Sequence, residues 1–189
     1  MKQVLLPVKV IAPEVDETPL RGESPRQLVH RLSLAKALFA KEIALKQGHT
    51  GLVVAADTIV VSPKNKKVLG KPSSTTEAQK MLKLLSGKTH SVLTGYCILD
   101  LSDKKIRTPW VQVVESRVTI RKIPNQCIGD YIATGEPMDK AGSYGAQGIG
   151  GALIEKIEGS YTNVVGLPMT EILRDFETEF KIKLLSWLD

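Results

Sequence analysis

The sequence predicts an α/β protein built on a mixed sheet. Helical patterns are interspersed among strand patterns along the whole chain, and the connections between strands include both tight, hairpin-type turns and longer crossovers. With 189 residues, 42% of them hydrophobic and 24% charged, there is material for one substantial core and too little for two ordinary domains. No internal repeat and no linker composition interrupts it.

From Ser24, SPRQLVHRLSLAKALFAKEIALKQG opens with an N-cap serine and a proline at the first helical position and stops at Gly48, which predicts a helix. Leu28, Val29, Leu32, Ala35, Phe39 and Ile43 fall within a sector of about 120°, the expected buried face. Lys36 lies inside that sector, so its ammonium either snorkels or meets an anion. Leu52 to Val61, LVVAADTIVV, reads as a buried strand, SPKNKK as a turn and KVLGKP as a short return. STTEAQKMLKLLSG is a second helix, capped by Ser or Thr, with Ala78, Met81, Leu82 and Leu85 at helical spacing and Gly87 as its stop. Two long strands follow, HSVLTGYCILDL and WVQVVESRVTIRKI, joined across SDKKIRTP. QCIGDYIATG predicts a short helix, ALIEKIEGSYTNVVG a hairpin after a glycine-rich loop, and LPMTEILRDFETEF a last helix with Pro168 near its start.

Composition excludes several classes. No apolar run approaches the roughly 18 residues that span a bilayer, and MKQVLLPVKV is no signal peptide, so a cytoplasmic location is expected. Cys97 and Cys127 lack metal or redox spacing and read as reduced structural thiols. The net charge of +6 is carried by scattered lysines and arginines, dense only in KNKK and DKKIR, two expected hairpin tips. That distribution argues against nucleic acid and suits an anionic small molecule.

Three polar clusters stand out: Asp57 with Thr58, Gly70-Lys71-Pro72, and Glu136 to Gly148, where Glu136, Asp139 and Lys140 are set among glycines. A lone carboxylate in a buried strand costs several kcal/mol unless it is partnered. The glycine spacing matches neither the Walker nor the dinucleotide pattern. Attack of water on a polyphosphate would unite the clusters. Asp57, Glu17 and Asp139 are candidates to hold a divalent cation and orient water; Lys36, Lys71 and Lys140 are candidates to neutralise phosphate charge.

EVDE, RLSLAKA, AADTIVV, GKP, LSGKTHSVLTG, EPMDKAGSYGAQG and YTNVVGLP, in this order and spacing from about Val8 to Phe180, resemble the Maf family of nucleoside triphosphate pyrophosphatases. The resemblance implies an elongated mixed sheet flanked by helices, with two lobes around a central cleft, similar to inosine triphosphate pyrophosphatases. It implies hydrolysis of a nucleoside triphosphate to the monophosphate and pyrophosphate with Mg²⁺ or Mn²⁺. Asp57 falls on the family's general base, and Glu17, Lys36, Lys71 and Gln147 on its polar cleft residues. Thr58 and Gln147 fall on the positions that mark the branch acting on dTTP and UTP, where an amide suits the donor and acceptor edge of a pyrimidine. Expected partners are thus a nucleoside triphosphate and neither membrane nor nucleic acid, with room left for a homodimer. The family's SxSPRR motif and the strand before it have no counterpart ahead of Glu17; GESPRQ, Gly22 to Gln27, reads as a helix start. The expectation is one domain, 1–189, lacking that N-terminal strand and phosphate-binding motif. A nucleotide-binding or cell-division regulatory protein of the same family that has lost turnover is the alternative.

Overall fold

The computed structural model describes residues 7–64, 66–102, 108–183 and 186. Among these the chain forms α1 (Pro25–Lys46), β1 (Leu52–Val61), β2 (Val68–Leu69), α2 (Thr75–Leu85), β3 (Thr89–Asp100), β4 (Trp110–Ile120) and α3 (Asn125–Ala133). Three short 3₁₀ turns, Glu136–Asp139, Ala141–Ser143 and Ile149–Leu153, then lead into β5 (Ile154–Glu158), α4 (Tyr161–Val165) and α5 (Met169–Thr178). None of the described helices is long and apolar enough to cross a membrane. The basic stretch expected at the tip between β3 and β4, residues 103–107, lies outside the described residues.

The strands form one sheet in the order β2-β1-β3-β4-β5. The α/β class is as expected, but every pairing among the described residues is antiparallel rather than mixed. The reason lies in β2. Its two residues pair with Val60 and Val61, so the chain leaves it at the end of the sheet where β1 finished. After α2 the chain re-enters there, with Ser91 opposite Val61, and β3 must run back against β1.

The start of α1 follows the sequence closely. Ser24 caps the helix, Gln27 reciprocates in a capping box, and Pro25 occupies the first turn. Its buried face differs from expectation: Leu28, Val29 and Leu32 are buried, but the stripe continues through Ser33, Ala37, Ala40 and Ala44 instead of Ala35, Phe39 and Ile43. The helix lies too close to the sheet for large side chains. A Cβ placed on Gly95 of β3 would sit 2.2 Å from the Val29 carbonyl oxygen, and beyond Leu32 the helix meets the sheet through small residues, Ser33, Ala37, Ala40 and Ala44. The expected second arm of the last hairpin is the helix α4. Its N-cap Ser160 accepts from the Asn163 amide, and Gly166 closes it in the left-handed conformation, which overrides the strand preference of Val164 and Val165.

One face of the sheet packs on α1 through Ile59, Val61, Leu93, Val53, Cys97 and Leu99. Both cysteines are free, and burial pushes the Cys97 thiol up to about 12, in keeping with inert structural thiols. The opposite face carries two separate apolar clusters. At one end Val60, Val92, Val118 and Ile120 pack with α2 and α3; at the other Tyr96 and Ile98 pack with Ile172 and Phe176 of α5. Buried Asp175 fastens α5 by accepting from the Tyr96 hydroxyl and from Trp110 Nε1 at 2.7 Å. Between the two clusters the strands carry threonines, Thr58 and Thr94, directly opposite one another.

Candidate active site

Consecutive strand residues point to opposite faces, so Asp57 and Thr58 divide the polar centre into two halves. On the α1 face Asp57 is 8% exposed. Lys36 Nζ donates to its Oδ1 at 2.6 Å and lies 2.6 Å from Glu17 Oε1 as well. Lys36 therefore meets anions instead of snorkelling. Burial raises the Asp57 pKa above the usual aspartate value, against the pull of the Lys36 hydrogen bond. Burial also disfavours the Lys36 ammonium, but hydrogen bonds and charge from Asp57 and Glu17 prevail, and its pKa is raised. The site thus keeps its cation charged and makes its carboxylate more basic than an ordinary aspartate.

Glu17 belongs to a segment without helix or strand, so its position needs another explanation. Arg31 of α1 supplies it. Its guanidinium grips Glu23 through Nε and Nη2 at 2.7 and 2.9 Å and donates to the Thr18 carbonyl at 3.0 Å. Two points that follow Glu17, Thr18 beside it and Glu23 further on, are thereby strapped to the helix that carries Lys36.

On the other face Thr58, Lys71, Asp139, Lys140 and Gln147 line a single cavity of about 220 Å³, with Tyr144, Val92, Val164 and Gly166 among its remaining walls. Lys140 Nζ donates to Asp139 Oδ1 at 2.6 Å, and that bond, first among several causes, holds the Asp139 pKa below the usual range. The two halves meet at an open edge. Over Leu52–Ile59 the described residues pair with β1 on the β3 side alone, and the charge of Lys71 acts on both Asp57 and Asp139. Gln147 also borders a second, larger groove of about 760 Å³ that runs past Leu52, Val53 and Val54.

The glycine-rich loop is shaped by Glu136, which sequence reading placed in the polar cluster without a role. Its carboxylate accepts from the Ile149 and Gly150 amides at 2.9 and 2.8 Å and from the Tyr131 hydroxyl at 2.9 Å. Burial works to raise the Glu136 pKa, but these donors outweigh it and hold it low. Gly148 is at φ +81°, and a Cβ there would lie 2.7 Å from Glu136 Oε2, so both conformation and space require glycine. The one sequence signal for Glu136 was a carboxylate beside proline amid glycines.

Behind the cavity, His90 Nε2 and the Tyr144 hydroxyl lie 2.7 Å apart with their rings edge to face. Burial lowers the His90 pKa from 6.5 to about 4. The unfolded chain therefore binds a proton that the fold refuses between those values. Stability from this group is complete above pH 6.5 and is lost as pH falls toward 4, by about 2 kcal/mol at pH 5. Urea unfolding at pH 7.5 and pH 5 should show that loss, and His90→Gln, whose amide can donate to or accept from Tyr144, should shrink it.

Of the carboxylates expected to hold a divalent cation, Glu17 and Asp57 converge on one lysine and Asp139 stands apart with Lys140. No cluster of three or more His, Cys, Asp or Glu side chains forms among the described residues. Mg²⁺ commonly takes one or two carboxylates and completes its shell with water and substrate phosphate oxygens. The pair of hard oxygen donors from Glu17 and Asp57 fits that requirement.

Comparison with known proteins agrees in direction. The family model described as Maf-like protein matches residues 1–179. A protein of Shewanella sp. (strain MR-7) named dTTP/UTP pyrophosphatase is 44% identical over 162 residues, 85% of this chain and 79% of its own length. Proteins with the same name from Nitratidesulfovibrio vulgaris and Clostridium tetani are each 43% identical, over 90% and 91% of this chain and 77% and 86% of their own lengths.

Proposed function

Because the chain belongs to the family of Maf-like proteins, we propose that it is a nucleoside triphosphate pyrophosphatase acting on dTTP and UTP. The observation that carries this reading is the buried Asp57 carboxylate, held by Lys36 and Glu17 at the strand edge where a cavity lined by Thr58, Lys71, Lys140 and Gln147 begins.

Water attacks the α-phosphorus, its proton passes to Asp57, the bond from that phosphorus to the bridging oxygen breaks, and pyrophosphate leaves with the nucleoside monophosphate as the other product. Burial raises the Asp57 pKa in the metal-free site, which favours the carboxylate as the acceptor of that proton. Lys36, Lys71 and Lys140 supply fixed positive charge to the phosphates, a preorganised stabilisation that needs no covalent intermediate. Glu17 and Asp57 would hold a divalent cation, which when bound neutralises charge on the phosphate oxygens. Gln147 and Thr58 face the base, where an amide offers both a donor and an acceptor to a pyrimidine edge.

Incubating the purified chain with Mg²⁺ and dTTP or UTP should release pyrophosphate and monophosphate in equal amounts, with dATP and dGTP turned over more slowly. No turnover of either pyrimidine nucleotide, with Mg²⁺ or Mn²⁺, would overturn the reading.

A further inference from the structure

We infer that Thr94 is a positioning residue that sets base specificity: it fixes the Thr58 hydroxyl as a hydrogen-bond acceptor toward the cavity, so that the site favours a pyrimidine carrying a ring N–H. The inference rests on the reading of this cavity as the place of the base.

The proton count carries it. Thr58 Oγ1 and Thr94 Oγ1 are 2.8 Å apart, Thr94 Oγ1 reaches the Asn163 carbonyl at 3.0 Å, and Thr58 Oγ1 reaches the Gly166 carbonyl at 3.3 Å. Each hydroxyl has one proton to give, and both carbonyls only accept. Thr94 gives its proton to the Asn163 carbonyl, so Thr58 is the donor in the shorter, 2.8 Å contact between the two hydroxyls. That proton stays within the protein, and Thr58 keeps its lone pairs for the cavity it lines.

The arrangement is rigid. Thr94 and Asn163 are fully buried. Asn163 Nδ2 donates to the Val92 carbonyl at 3.1 Å and to Ser116 Oγ at 2.9 Å, which pins α4 and its carbonyl acceptor onto β3 and β4. A sheet position with no route to solvent has otherwise little use for threonine where valine has the same shape. Toward such an acceptor, thymine and uracil present N3–H. Cytosine presents the N3 lone pair, which opposes that of Thr58. A buried polar site rejects the analogue that leaves its groups unpaired.

The test measures binding of dTMP and dCMP, which are not hydrolysed, to the wild type, Thr94→Val and Thr94→Ser, alongside kcat/KM for dTTP and dCTP. The wild type should prefer dTMP. Thr94→Val leaves the hydroxyl of Thr58 only the longest of its contacts, free to turn and donate, and the ratio of dTMP to dCMP affinity should fall about tenfold or more; Thr94→Ser should keep it. Equal weakening toward both nucleotides in Thr94→Val would reduce Thr94 to a structural role and overturn the inference. So would wild-type protein that binds dTMP and dCMP alike, or binds neither. A measurement on the wild type alone guards against a variant that fails to fold: N3-methyl-dTMP, which has no N3–H, should bind more weakly than dTMP, and equal binding would overturn the inference. Absence of dTTP turnover would defeat the proposed reaction while these binding ratios still decide the role of Thr94.

Discussion

Asp57→Asn is expected to lower turnover of dTTP and UTP by about 10²–10⁴-fold, the range that a positioned general base contributes, with no loss of stability. The carboxylate sits 8% exposed, with Lys36 against one oxygen. The amide keeps the shape and can still accept from Lys36, but it cannot take the proton of an attacking water. Stability should hold or rise, because burial raises the pKa of this aspartate in the fold. A raised carboxylate pKa marks a charged form that the fold disfavours: the stability it brings is present below the unfolded value near 3.8 and is lost as pH rises through the folded one. Removing the charge removes that cost at neutral pH, and Lys36 retains Glu17. Initial rates of pyrophosphate release, paired with a thermal melt, read both effects. A variant with full turnover would show that Asp57 is not the base.

Gly95→Ala is expected to be the most damaging change of a single methyl group in the sheet. The added Cβ would lie 2.2 Å from the Val29 carbonyl oxygen and 2.5 Å from its carbon, and backbone at that distance cannot rotate away. Helix α1 would have to lift, at about 1–3 kcal/mol for an overpacked contact. Gly95 is the direct pairing partner of Asp57, and α1 carries Lys36, so lifting the helix also lengthens the 2.6 Å contact at the centre of the site. Turnover of the folded variant should fall at least tenfold, since misplacement by about 1 Å can cost 10²-fold. Gly129→Ala in α3 is the control: its Cβ would meet nothing within 4 Å, and a helical alanine in its place should leave stability unchanged or raise it by up to ~1 kcal/mol. Equilibrium unfolding and kcat for the two variants separate the cases, and a stable, active Gly95→Ala protein would refute this account of helix packing.

Local signals in the chain were legible because they act locally. Ser24, Pro25 and Gln27 mark the start of α1, and the apolar run Leu52–Val61 coincides with β1 from end to end. The polar residues singled out from their surroundings, Lys36 in an apolar sector and Asp57 in an apolar strand, are the two that meet. What was not legible depends on distance between elements. The small-residue stripe of α1 follows from the approach of Val29 to Gly95, a contact 66 positions apart that periodicity cannot see. The helix α4 was hidden by β-branched residues, and the antiparallel course of β3 by the brevity of β2. Thr94 and Asn163 escaped notice because a threonine in a strand and an asparagine near a turn are commonplace until their hydrogen bonds are traced.

The three donors gathered on Glu136 bear on the cost of ordering. Glycine gives up more freedom on folding than any other residue, and the loop from 142 to 151 contains five. Closing that stretch on a carboxylate 14 positions away from Gly150 fixes it as the chain folds. A ligand reaching Gln147 therefore meets a loop already set, and its affinity is not reduced by the entropy of arranging one. The same closure makes the loop tolerant of changes in exposed side chains but intolerant of changes in length, since one inserted residue would draw the Ile149 and Gly150 amides away from their acceptor.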